Sequence, residues 1–346
     1  SAFFNCGNLP KIEFEPDSKL KTIEESAFSF SFIKELYIPK YLKNLEFRWC
    51  FTIDYLTKII VSPLNDRFVF KDEKYLLGKS DEKSENFDVL YFAIRDLKEA
   101  IIPSNIKIIK SYAFQNCKML HKIVFEPNSN LQTIEEAAFS ETCIKEIIIP
   151  SSVTKIGNFA FRCCENLQKI EFEPDSKLQT IERSAFCRTL INKIHIPAGV
   201  REIGEGTFYS CKNLLKFEFP TNISTIRPKI FQDSGVQEIK IPPSVTKIIK
   251  KQFDECKNLQ KIEIPPESKL QIIDEYAFKE LNIEGIFIPS SVTRIGQYAF
   301  YDCKNLRKVE FQLNSRLQMI DELAFKATSI SEISIPESVE KIYQYA

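Results

Sequence analysis

The feature that most constrains this chain is a phenylalanine that returns at a fixed interval. Phe114, Phe139, Phe161, Phe186, Phe208, Phe231, Phe253, Phe278, Phe300 and Phe325 each close an Ala-Phe or similar pair, with gaps that alternate near 25 and 22 residues; Phe3 and Phe28 begin the series. After each comes a segment of the form Leu-x-x-Ile-x-Ile/Phe, usually followed by proline, as in Leu167-Gln-Lys-Ile-Glu-Phe172 and Ile191-Asn-Lys-Ile-His-Ile196. Self-similarity at such a period is the signature of a solenoid, in which stacked turns share one core.

Within the segment the fourth and sixth positions are apolar and the third and fifth mostly polar, the period-two pattern of a strand buried on one face. Each turn is therefore expected to supply one short strand to a parallel sheet, with Ile170 and Phe172 inward and Lys169 and Glu171 outward. The proline that follows, as at Pro150, Pro197, Pro242, Pro289 and Pro336, has no amide hydrogen and ends the ladder. A second apolar pair, such as Val153 and Ile156, precedes the next Ala-Phe step. Strands starting near residues 9, 33, 56, 97, 120, 144, 167, 191, 214, 236, 259, 283, 306 and 330 give fourteen turns. At about 4.8 Å per strand they would stack to on the order of 60 to 70 Å. Both ends cut through a repeat, so the expectation is a single solenoid over 1–346 that is a fragment of a longer protein.

The 47 basic and 47 acidic side chains cancel. A neutral balance disfavours nucleic acid and anionic lipid as partners, since both need a basic surface. No apolar run approaches the roughly 18 residues that would cross a bilayer, so no direct membrane insertion is expected within this chain.

Segments such as Ile149-Pro-Ser-Ser-Val-Thr-Lys-Ile-Gly-Asn-Phe-Ala-Phe161 and Ile288-Pro-Ser-Ser-Val-Thr-Arg-Ile-Gly-Gln-Tyr-Ala-Phe300 resemble the BspA-type leucine-rich repeats of bacterial and protist surface proteins. The resemblance covers nearly all of the chain and departs at residues 64 to 96. The expected class is thus an α/β repeat: a right-handed leucine-rich-repeat solenoid with one parallel sheet face and about fourteen turns of 22–25 residues. The family implies a cell-surface or secreted protein used for adhesion and host contact, without catalytic activity.

The residues themselves offer little chemistry. His121 and His195 are the only histidines; they fall on strands three turns apart, too distant to share a metal. Gly204-Glu-Gly206 begins like a phosphate loop, but Tyr209 stands where its last glycine should be; Gly157 and Gly296 recur in the slot of Gly204, which reads as a repeated bend. Cys6, Cys117, Cys164, Cys211, Cys256 and Cys303 lie three residues after the core phenylalanine in every second turn. At about 10 Å they exceed the reach of a disulfide, roughly 7 Å between Cα atoms. They read as small buried thiols, with only Cys117, Cys143 and Cys164 placed where an approach is conceivable. No metal, no cofactor and no nucleophile–base pair is expected.

Outward positions carry more information. The third strand position alternates in sign over long stretches, through Glu35, Lys58, Glu99, Lys122, Glu146 and Lys169, which reads as a structural ladder. At the fifth position Tyr37, Ile60, Ile101, Val124 and Ile148 form an apolar row, with His195 and Phe287 further along the same line. These seven residues are the candidate partner-binding set, since an exposed apolar stripe marks a contact. Beside the row lies the irregular segment 64–96, carrying Phe68, Phe70, Tyr75, Phe87, Tyr91 and Phe92. It reads as an inserted hairpin that either folds over the row or leaves it open. The expected function is a non-enzymatic module that binds a protein or glycoprotein at a cell surface, or, alternatively, a cytoplasmic interaction scaffold, which unpaired cysteines would suit.

Overall fold

The computed structural model describes residues 2–15 and 17–346. The chain forms two compact units, Ser1–Leu178 and Gln179–Ala346, and both are β-solenoids, about fourteen turns in all. A typical turn supplies two strands rather than one. In the first unit Lys11–Ile12, Glu35–Ile38 and Lys58–Val61 form a parallel ladder, Glu99–Ile102 pairs with Lys122–Phe125, and Glu146–Ile149 pairs with Lys169–Phe172. A second sheet runs through the apolar pairs that follow each proline: Thr22–Ile23 beside Asn44–Leu45, and Ile108–Ile109, Thr133–Ile134 and Lys155–Ile156 in series. The second unit repeats the plan. Lys216–Glu218, Glu238–Lys240 and Lys261–Glu263 form one ladder of its first sheet and Gly285–Ile288 with Lys308–Phe311 another. Its second sheet includes a five-stranded run from Lys247–Ile248 to Lys341–Ile342.

Three expectations are corrected here. The single sheet is two sheets. The first-sheet strands form separate short ladders rather than one continuous series, and the segments beginning at 191 and 330 form no extended strand. The α/β class does not hold either, because no helix occurs among the described residues. The reason lies in the backbone of the Ala-Phe step. In each regular turn the pair is bracketed by two residues in the left-handed region four positions apart: Tyr112 (φ 65°) and Asn116 (58°), Ala137 (50°) and Glu141 (61°), Tyr298 (56°) and Asp302 (57°). A right-handed helix cannot run through such residues, so the step is a succession of tight turns.

Between the sheets lie the stacked phenylalanines. Phe114, Phe139, Phe161, Phe186, Phe208, Phe231, Phe253, Phe278 and Phe300 are fully buried. Ring centroids lie 5.0 Å apart for Phe114–Phe139, 5.3 Å for Phe139–Phe161 and 5.7 Å for Phe186–Phe208. In the third turn Trp49 and Cys50 stand between left-handed Arg48 and Thr52, so a cysteine occupies the phenylalanine slot. The glycine slot read as a bend is instead a close approach. A Cβ on Gly157 would lie 2.7 Å from the backbone carbon of Glu135, and one on Gly204 would lie 2.4 Å from the amide nitrogen of Arg183.

Every cysteine is free, including Cys117, Cys143 and Cys164, and the repeated slot has a polar role. Cys164 Sγ donates to Phe139 O at 3.0 Å, Cys211 Sγ to Phe186 O at 3.1 Å and Cys303 Sγ to Phe278 O at 2.9 Å. Two of these carbonyls also accept from the hydroxyl three residues on, Thr142 to Phe139 O at 3.0 Å and Thr189 to Phe186 O at 2.9 Å, while Leu281 stands in that slot after Phe278. Around Phe139 and Phe186 a thiol turn thus alternates with a hydroxyl turn, and together they satisfy a carbonyl buried in the core.

Candidate functional site

The apolar row follows from strand parity. Ile59, Ala100, Ile123 and Ile147 point into the core, so Ile60, Ile101, Val124 and Ile148 one position later face outward. They are 39, 59, 42 and 55 % exposed, high values for aliphatic side chains set in a row. Tyr37, at the head of the row, is half-buried. Register brings Tyr37 opposite Ile60, Ile101 opposite Val124, and Ile148 opposite Glu171. Val124 and Ile148 floor a shallow concavity of about 720 Å³ whose walls include His121, Lys122, Lys145, Glu146, Lys169 and Glu171.

Charges rim the row. Glu35 receives Lys58 Nζ at 3.1 Å and lies 3.4 Å from Lys11 Nζ; the hydrogen bond from Lys58 and the charges of both lysines hold its carboxyl below the ordinary range. Lys169 pairs with Glu171 at 2.8 Å, which raises the lysine. His121 places Nε2 3.6 Å from Glu99 and Nδ1 3.2 Å from Met119 O. Among the described residues no ion pair involves Lys122 or Glu146.

The inserted segment does not cover the row. Phe68–Lys71 and Tyr75–Gly78 form an antiparallel hairpin, Val89–Ala93 adds a third strand, and that strand continues in parallel to Ile108–Ile109 of the second sheet. Phe68, Tyr75 and Phe92 are buried in the core. One of these rings serves the first sheet from within. Glu99–Ile102 has no ladder partner on the Lys58–Val61 side, and Tyr75 Oη accepts the Ile101 amide at 3.1 Å. The insertion itself has no Ala-Phe pair before the strand Glu99–Ile102, and Arg95, near its end, enters the core. It is 5 % exposed, lies 4.1 Å over the Phe92 ring, and donates to Ile53 O at 2.9 Å, Ala113 O at 2.9 Å, Tyr112 O at 3.2 Å and Ala93 O at 3.3 Å.

The second unit holds the other two candidates. His195 is exposed on the segment that forms no strand, and Phe287 is half-buried opposite Glu310. Phe287 helps line a concavity of about 1030 Å³ with Arg307, Glu310 and Leu313. Sequence reasoning passed over a second apolar surface at the start of the first unit. Phe4, Phe30, Phe32, Phe47 and Tyr55 are all more than 40 % exposed, and Phe32 stacks on Tyr55 at 4.9 Å. Its signal was the crowding of aromatic residues between the regular core positions of residues 3–55.

The family model of the BspA-type leucine-rich repeat region matches in six copies, over residues 1–69 and, in overlapping spans, 87–214, 132–249, 179–307 and 224–346. No curated protein matches the chain. Among solved structures it is similar to the pneumococcal vaccine antigen PcpA, at 21 % identity over 75 % of this chain and 76 % of that one, with a TM-score of 0.43. A leucine-rich repeat protein from Bacteroides ovatus matches at 20 % over 89 % and 80 %, with a TM-score of 0.43. A leucine-rich cell surface protein from Faecalibacterium prausnitzii matches at 18 % over 98 % and 88 %, again at 0.43. With the family model matching far more than half of its length, this chain belongs to the BspA-type leucine-rich repeat family.

Proposed function

We propose that the chain is a non-enzymatic protein-binding module, displayed on a cell surface or secreted, that holds a protein or glycoprotein partner on the first-sheet face of its first unit. The observation that carries this reading is the open row Ile60, Ile101, Val124 and Ile148. Four aliphatic side chains aligned in water favour contact with another apolar surface, and the charged rim supplies the polar border of a docking site. The family resemblance supports the surface location, and a right-handed coil is the winding it implies.

The test is the double variant Ile101→Asp, Ile148→Asp. On an open face it leaves unfolding free energy within about 1 kcal/mol of the parent, and beads coated with the variant lose the adhesion to target cells that beads coated with the parent show. Unchanged adhesion would move the docking site elsewhere. The ten free thiols favour a second reading, a scaffold inside the cell; detection of the chain on unpermeabilised cells decides between the two.

A further inference from the structure

We propose that a cleft in the second sheet of the first unit binds an acidic sugar, the carboxylate-bearing residue of a glycan, at a site separate from the aliphatic row. The site begins with a break in hydrogen bonding. Asn44–Leu45 pairs only with Thr22–Ile23, and Phe68–Lys71 only with Tyr75–Gly78; from there the sheet runs unbroken through Val89–Ala93 to Lys155–Ile156. In regular turns the next strand takes the carbonyls at such an edge, as Gln132 N does with Lys107 O at 2.8 Å and Glu135 N with Ile109 O at 2.9 Å. Among the described residues no hydrogen bond reaches the equivalent carbonyls of Lys43 and Leu45. The insertion turns its first strand into its own hairpin, and a cleft of about 310 Å³ is left beside the edge.

Lys43, Asn44, Asp66, Arg67, Lys79 and Glu82 line the cleft. Arg67 and Lys79 stand opposite each other one step beyond the Phe68–Gly78 pair, with Lys79 N donating to Arg67 O at 3.3 Å. Like charges on facing residues of adjacent strands repel and weaken the pairing. Nothing on the chain relieves these two. Among the described residues neither side chain enters an ion pair, and Arg67 Nη1 is shut off from water with no acceptor. A donor that has lost its water and gained no acceptor costs free energy, so the cleft favours an anion. The one pairing across it is loose, Lys43 Nζ to Glu82 at 3.6 Å, between side chains 49 and 83 % exposed.

The two carboxylates select the class of anion. Three cations against Asp66 and Glu82 leave a single positive charge, the complement of a monoanion. Sulfate and phosphate carry negative charge on every side and would turn some of it toward Asp66 and Glu82. An acidic sugar has one anionic edge and several hydroxyls. Its carboxylate takes paired hydrogen bonds from Arg67, with Lys79 and Lys43 as neighbouring cations. Its hydroxyls donate to Asp66, Glu82 and the free Lys43 carbonyl, and Asn44 offers an amide beside them. The volume lies at the lower end for ligand sites and suits one sugar residue rather than a chain. Binding of a single residue in so open a cleft is weak and gains strength where many glycans and many copies meet.

Saturation-transfer NMR, with glucuronic acid, N-acetylneuraminic acid, glucose and inorganic sulfate as separate probes, tests this. At least one acid is expected to receive saturation from the parent, and glucose none; the acid that binds tells a uronate from a sialylated glycan. Arg67→Gln and Lys79→Gln are each expected to weaken that acid at least tenfold. Should Arg67→Gln fail to fold, Lys43→Gln combined with Lys79→Gln carries the same test without touching the buried donor. Asp66→Ala decides the class: it is expected to weaken the acid, which loses a hydroxyl acceptor, and to strengthen sulfate. Acids that bind no better than glucose, or that bind Lys79→Gln as tightly as the parent, overturn the site. An Asp66→Ala variant that binds the acids more tightly than the parent leaves a plain anion site and overturns the sugar. The Ile101→Asp, Ile148→Asp variant is expected to bind the acid as the parent does, so cleft and row stand or fall separately.

Discussion

At the residue scale the thiols are the most telling groups. Burial pushes Cys164 and Cys303 up to about 12 and Cys211 to about 11, from an ordinary 9.0. The thiolate is the nucleophile, so these three groups are expected to resist alkylation in the folded chain, while the half-buried Cys6, Cys143 and Cys163 react first. After unfolding without reductant, thiol titration is expected to recover all ten. The same shifts fix a pH dependence. The folded state keeps these protons when the unfolded state has lost them, so their stabilising contribution is complete below about pH 9 and declines as pH rises toward the folded values. Urea midpoints measured from pH 8 to 10.5 should therefore fall on the alkaline side. A flat profile would mean that the thiols are solvated.

At the element scale the insertion is a structural graft as much as a loop. Tyr75→Phe removes the acceptor of the Ile101 amide and is expected to cost about 1 kcal/mol, with faster hydrogen exchange at Ile101. Arg95→Met leaves four core carbonyls without their donor and is expected to cost about 3 kcal/mol or more in urea unfolding; Arg95→Lys should not restore it, since an ammonium cannot span the same carbonyls. Neither role was legible in the sequence, where the insertion showed only a cluster of aromatic residues. The first-sheet strands were legible because four residues suffice to show alternation. Strands such as Thr133–Ile134 and Lys155–Ile156 are too short to show any period, so the second sheet went unseen. The left-handed positions hid for another reason: tyrosine, asparagine, alanine and glutamate occupy them in place of glycine. For the candidate site, parity located Ile60, Ile101, Val124 and Ile148 correctly as outward-facing. It could not tell that Tyr37 and Phe287 would be half-covered, or that His195 would sit outside any ladder, because neighbouring turns decide both.

At the scale of the whole molecule, a chain built of stacked turns depends on nearest neighbours. Phe278→Ala is expected to cost about 3 to 5 kcal/mol, and hydrogen exchange should show the loss concentrated in the turns of Phe253, Phe278 and Phe300 rather than spread evenly. The alternation of thiol and hydroxyl turns carries this logic into ancestry. Cys117, Cys164 and Cys211 recur at intervals of 47 residues, the length of two turns, so the heritable module is the pair. Excising one turn would set like against like at the seam and take from a buried carbonyl such as Phe139 O one of its two donors, whereas excising two restores the match. Lengthening and shortening of such genes by recombination should therefore leave survivors that differ by even numbers of turns.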